Sequence, residues 1–160
     1  MFAALRRLAL SAIILALAAC ATQPAPAPLA EALTRDAQLS TFNRLVEQAG
    51  LKDELRAAGP LTVFAPSDEA FKAVPAKTLE SLNANKEQLK AVLRFHIVAA
   101  KLAAADIKPG NQTTLQGAPL MLARAGDFVT VEEAMVQRAD LGASNGVAHV
   151  IDRVLMPPKK

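Results

Sequence analysis

Apolar and polar positions change rhythm along this chain. From Glu31 to Ala58, Leu33, Ala37, Phe42, Leu45, Val46 and Ala49 recur at spacings of three to five, the period of helices with one buried face. Ser40 or Thr41 is placed to cap the helix that carries Phe42 and Leu45. Gly50 ends that helix, Leu51 to Ala57 predicts another short one, and Gly59-Pro60 stops the helical region. Thr62, Val63 and Phe64 then favour a strand. Pro66 blocks its continuation as a central strand, Ser67 can accept from the following N–H groups, and Asp68 and Glu69 put negative charge at a helix N-terminus. Leu61 to Phe71 is therefore a strand that turns at once into a helix, and it fixes the direction of both.

Beyond this pivot, Pro75 starts a helix near Lys77 to Leu82, and Asn83 to Lys86 is a polar turn. Glu87 to Phe95 predicts an amphipathic helix with Leu89, Val92, Leu93 and His96 on one face. Ile97-Val98 shifts to strand. From Asn111 onward the runs are short and β-like: Thr113 to Leu115, Leu120 to Leu122, Phe128 to Val131, Ala134 to Val136 and Val147 to Leu155. Gly117, Pro119, Gly126-Asp127 and Gly142 punctuate them, Asn145-Gly146 signals a turn, and Pro157-Pro158 ends the domain. Helices first and antiparallel strands later predict one α+β domain. Val63-Phe64 is expected as a central strand near Val147 to Ile151. Phe42, Phe64, Phe71 and Phe95 fall in apolar patterns and are expected in the core.

The N-terminus changes what composition means. Arg6 and Arg7 precede an apolar run from Leu8 to Ala19, and Leu17-Ala18-Ala19-Cys20 fits a bacterial lipobox. The segments expected are a lipoprotein signal peptide over 1–19, a lipidated Cys20 with a Pro/Ala linker over 20–30, and a globular domain over 31–158. The alternating prolines of Ala21 to Ala30 predict an extended spacer of about 30 Å. Ala21 follows Cys20 where an Asp is often associated with inner-membrane retention, so the outer membrane is favoured. The formal charge of +3 falls to +1 once Arg6 and Arg7 are removed, because no acid leaves with them. No Lys/Arg cluster interleaves with aromatics, so nucleic-acid binding has no support. The chain has a single cysteine. Lipidation of Cys20 leaves no thiol for a disulfide, and packing must carry the stability.

Candidate chemistry is sparse. Gly142-Ala143-Ser144-Asn145-Gly146 matches a Gly-x-Ser-x-Gly nucleophile pattern, which needs a strand before the serine and a helix after it. The residues after it predict a strand, so the stretch is expected to be a turn with Gly146 at positive φ. His96 and His149 are the only histidines, and neither has a partner at metal-ligand spacing. Both are expected to be structural, with Val147 and Ile151 on the same side of a strand as His149. Asp68 and Glu69 are adjacent on a helix and point apart, so they are not a catalytic pair. No metal, cofactor or small-molecule substrate is expected.

Three stretches resemble the signatures of fasciclin (FAS1) domains. Thr62-Val63-Phe64-Ala65-Pro66-Ser67-Asp68-Glu69-Ala70-Phe71 resembles the first, with Ser67 where the family often has Thr. Leu93-Arg94-Phe95-His96-Ile97-Val98 is similar to the family's Tyr-His element, with Phe95 in place of the Tyr and its hydroxyl lost. Asn145 to Leu155 resembles the second signature, and Thr113 to Gly117 matches the usual middle of the domain. The resemblance implies a wedge of two β-sheets packed with several helices. It implies non-catalytic, extracytoplasmic adhesion or protein-interaction work, with a protein or extracellular-matrix partner. In animal members an Asp-Ile tract before the second signature is linked to integrin binding. Asp140-Leu141 occupies that place, flanked by Ala139 and Gly142 in place of the Pro and Met of that tract. Asp140, Leu141, Ser144 and Asn145, or the helix after Ser67, are the expected contact surface. The alternatives are a cell-envelope hydrolase using Ser144 and His149, and an envelope-organising or chaperone-like lipoprotein.

Overall fold

In the computed structural model, residues 26–57 and 59–158 are described. The expected signal segment, Cys20 and the first linker residues lie outside them. The helical rhythm resolves into α1 (Leu29–Thr34), α2 (Ser40–Ala49) and α3 (Lys52–Arg56). α1 starts inside the stretch expected as linker. Leu29 and Leu33 are fully buried, so the last residues of the Pro/Ala-rich run belong to the core. Gly50 ends α2 at φ 72°, where its N–H and that of Leu51 return to Glu47 and Val46 carbonyls.

The pivot forms as the residues dictate. β1 (Leu61–Pro66) runs directly into α4 (Asp68–Lys72), and the Ser67 hydroxyl accepts the Ala70 N–H at 3.2 Å. α5 (Ala76–Ala84) follows Pro75, and Asn85 caps α6 (Lys86–Phe95) by accepting the Gln88 N–H. The β half comprises β2 (Ile97–Val98), β3 (Gly110–Thr113), β4 (Pro119–Ala125), β5 (Phe128–Val131), β6 (Ala134–Ala143) and β7 (Gly146–Ile151).

These strands join in one mixed sheet of seven, ordered β2-β1-β7-β6-β5-β4-β3, and the two-sheet wedge that the family resemblance implies is not resolved as separate sheets. The pairs along it are antiparallel except β1 with β7, which run parallel from Leu61↔Gly146 to Pro66↔Ile151. The sheet curls until its ends approach: Val98 bridges Thr114, and the Leu115 N–H reaches the Ile97 carbonyl at 2.8 Å. The result is a near barrel with helices against one side.

The central pair is buried at every position, as a parallel pair covered on both faces must be. Val63, Ala65, Ala148 and Val150 face the helices with Phe42, Leu45 and Leu93. Phe64 and Ile151 point into the curl with Leu120, Leu122, Val129 and Val131. All four expected core phenylalanines are buried. β6 is longer than its sequence suggests. Its pairing with β7 shifts register between Arg138 and Leu141, and Asp140 sits there at φ 58°. That irregularity breaks the alternation that marks a strand, and Gly142, expected as a break, lies inside it.

Candidate functional site

Two regions concentrate the polar side chains singled out by sequence. The first is the end of the domain where β6 turns into β7. The turn residues are Ser144 and Asn145, with Ala143 paired to Gly146. The Asn145 side chain ties two helices there. Its Oδ1 accepts the Leu29 N–H at 2.8 Å, and its Nδ2 donates to the Leu55 and Ala57 carbonyls at 2.8 and 2.9 Å. The Asn145 carbonyl accepts the Leu61 N–H at 3.1 Å. One amide thus satisfies the start of α1 and the end of α3 beside the start of β1. Gly146 is not at positive φ, which corrects the expectation for it. Its backbone passes so close to β1 that a Cβ would overlap the Leu61 carbonyl and lie 2.9 Å from Leu29 Cδ1.

Ser144 is exposed, and the chain after it enters strand β7 rather than a helix, so the nucleophile geometry is missing. His149 is fully buried and stacked on Phe64, with ring centroids 5.5 Å apart. The Asp140 N–H donates to its Nδ1 at 3.2 Å, so Nε2 carries the proton and donates to the Leu102 carbonyl at 2.7 Å. Burial lowers its pKa below the ordinary value and outweighs the Leu102 carbonyl, which acts the other way. A neutral ring with both nitrogens committed to backbone has no free nitrogen to take a proton from a serine.

His96 is the mirror case. Its Nδ1 donates to the Val92 carbonyl at 2.8 Å and its Nε2 accepts the Leu155 N–H at 3.0 Å. The ring fastens the chain after β7 to the end of α6, and burial pushes its pKa down to about 4. Both rings therefore spend both nitrogens on backbone groups. Asp140 supplies another tie, accepting the Ala104 N–H at 2.8 Å, and Leu141 packs on the helix-side core.

The second region is the opposite end of β1. A cleft of about 650 Å³ opens between α2, α4 and β6, lined among others by Thr41, Arg44, Asp68, Phe71, Lys72 and Gln137. Asp68 does more here than meet its own helix. Its Oδ1 accepts the Thr41 N–H at 2.8 Å and its Oδ2 accepts the Ser40 hydroxyl at 2.7 Å. α2 has no side-chain cap from its own sequence, and Asp68 caps it from across the cleft. Burial alone raises the Asp68 pKa, but the bonds from Thr41 and Ser40 outweigh it and hold the carboxyl below the usual range. Glu69 instead pairs with Lys72 in solvent. Asp68→Ala is expected to destabilise the domain by about 1–2 kcal/mol. Glu69→Ala should stay within about 0.5 kcal/mol. Urea unfolding of both variants checks the contrast.

Sequence reasoning missed the Asn145 hub, because its side-chain partners lie 116, 90 and 88 positions away. It also missed Asp68 as the cap of α2. A capping acid 27 positions from its helix leaves no local signature, although the lack of an acid in the first turn of α2 was a hint.

The fasciclin domain model matches residues 37–157. The chain belongs to the fasciclin domain family. Protein sll1483 of Synechocystis is 45% identical over 121 residues, 74% of this chain and 67% of that protein. The cell surface glycolipoprotein MPB83 of Mycobacterium bovis is 34% identical over 136 residues, 82% of this chain and 61% of that protein. Among solved structures, a FAS1 domain pair from the insect cell adhesion molecule fasciclin I superposes with a TM-score of 0.64 at 22% identity. The overlap covers 78% of this chain and 47% of that one, so the likeness is in fold and extends over about half of the pair.

Proposed function

We propose that this fasciclin domain is a non-catalytic interaction module, exported and tethered to the bacterial outer membrane through a lipid on Cys20, where it presents a surface to a protein partner. The observation that carries the proposal is the match of residues 37–157 to the fasciclin domain, which takes in most of the chain outside the N-terminal segment. Ahead of that domain stands the basic, apolar, small-residue and Cys20 order of a lipoprotein signal. A relative named a cell surface glycolipoprotein and a structural neighbour named a cell adhesion molecule support the same direction. The hydrolase alternative fails on geometry, since the two nitrogens of His149 are engaged by Leu102 and Asp140.

The partner contact falls on the cleft beside α4. Asn145 spends its amide on Leu29, Leu55 and Ala57, whereas exposed Arg44 has no ion-pair partner among the described residues. Weak single contacts at such a cleft gain avidity when many copies share one membrane. Metabolic labelling with a palmitate analogue tests the tether. Wild type is expected to take up the label and to partition into detergent. Cys20→Ser should do neither, and equal labelling of both chains rejects the anchor. Protease added to intact cells is expected to degrade a surface-facing domain, and full protection would assign it to the periplasmic side.

A further inference from the structure

The chain enters the domain beside the β6–β7 turn. The Ser144 N–H donates to the Ala27 carbonyl at 3.0 Å, and Asn145 holds the Leu29 N–H, so residues just before α1 are fixed at the end where β1 and β7 begin. From there both strands run parallel towards Pro66 and Ile151. Six residues of β1 carry the chain roughly 20 Å towards α4 and its cleft.

We propose that the Ala27–Ser144 end of the domain lies against the bilayer surface and that the α2–α4 cleft faces away from it, towards the partner. This deepens the proposed function and rests on the lipid anchor at Cys20.

Reach excludes the inverted orientation. Cys20 and Ala27 are seven residue steps apart, which span at most about 25 Å even fully extended. The free spacer is therefore shorter than the Pro/Ala stretch suggests, because its last residues are bound into the fold. A domain of this size has a radius of gyration of about 14 Å, and an even sphere with that radius of gyration is about 36 Å across. Turning it over would lift Ala27 about 36 Å from the lipid, beyond what the tether spans. The end itself suits a headgroup layer. Arg56, Gly59, Pro60, Lys101 and Ser144 surround an open recess, and exposed Lys101 has no ion-pair partner among the described residues.

Cys20 is the only cysteine, and acylation consumes its sulfur, so an added cysteine is a unique thiol. Ser144→Cys and Glu69→Cys, both at exposed positions, report on the two ends. Each full-length lipidated chain is placed in phospholipid vesicles and treated with a bulky polyethylene-glycol maleimide, then again after the vesicles are dissolved in detergent. Labelling at Ser144→Cys is expected to be lost on vesicles and restored in detergent, while Glu69→Cys labels equally in both. Equal labelling of both thiols on chains that float with the vesicles overturns the orientation and leaves the anchor standing. Protection of Ser144→Cys that persists in detergent assigns that end to a second copy of the chain and also overturns it. Chains that do not float with vesicles overturn the anchor and the orientation together.

Discussion

Gly146→Ala is expected to destabilise the domain by about 3 kcal/mol or more, while Gly142→Ala, four positions earlier in the same Gly-x-Ser-x-Gly stretch, should change stability by no more than about 0.5 kcal/mol. The two glycines differ only in what a methyl group would meet. At Gly142 nothing lies within 4 Å. At Gly146 the new Cβ would overlap the Leu61 carbonyl, which is backbone and cannot rotate away, and would press on Leu29 Cδ1 at 2.9 Å. Relief requires β1 and β7 to separate at Leu61↔Gly146, the first rung of the parallel pair. That rung adjoins the Leu61 N–H bond to the Asn145 carbonyl, so the strain spreads into the Asn145 hub. The cost arises from overpacking against backbone rather than from a forbidden φ. Urea unfolding of both variants gives the measurement: the midpoint should fall for Gly146→Ala with an unchanged slope, and hold for Gly142→Ala. Equal midpoints would mean that β1 can move away without loss.

These two glycines show what a sequence discloses and what it hides. The pivot from β1 to α4 was legible because its determinants are adjacent: Pro66, the Ser67 cap and the acids behind it act over a few residues. α6 was legible because Leu89, Val92 and Leu93 repeat at helical spacing. The Asn145-Gly146 dipeptide is also a local signal, and it correctly placed a turn, but for the wrong reason and one residue late. Gly146 is required by Leu61, which is 85 positions away in the chain and next to it in the sheet. The order of strands in the curled sheet is hidden for a similar reason. β1 and β7 pair across almost the whole domain, and no period within either strand reports its neighbour. β6 was shortened because the irregularity at Asp140 interrupts alternation in the middle of a continuous strand. The proposed partner surface follows the same logic. Asp140 to Asn145 stood out as a motif, and its conspicuous side chains make structural bonds, whereas Arg44 and Lys72 meet at a cleft only when α2 and α4 pack.

Stability is expected to fall steadily from pH 7.5 to pH 5, a window above the ordinary range of the carboxylates, and His96 is the main cause. Its ring is neutral in the fold because burial pushes its pKa down to about 4, against an ordinary 6.5 in the unfolded chain. Between those two values the unfolded state binds a proton that the native state refuses. The unfolded state therefore gains on acidification, and stability rises with pH through this window. Above about pH 7.5 both states are essentially unprotonated and the effect is absent. His96 alone accounts for about 2 kcal/mol lost by pH 5 and about 3 kcal/mol by pH 4, a large fraction of the roughly 5–15 kcal/mol that holds a typical domain folded. His149 adds to the loss with the same sign, since burial lowers its pKa too. Protonating His96 does more than add charge: Nε2 becomes a donor facing the Leu155 N–H, and the tie between α6 and the chain after β7 turns into a repulsion. Unfolding free energies measured in urea at half-unit pH steps test this directly. His96→Gln, which keeps an amide donor and acceptor but does not titrate, should start from a lower stability at pH 7.5 and show a shallower slope towards pH 5. An unchanged slope in His96→Gln would assign the acid sensitivity to His149 and to its hold on the irregular middle of β6.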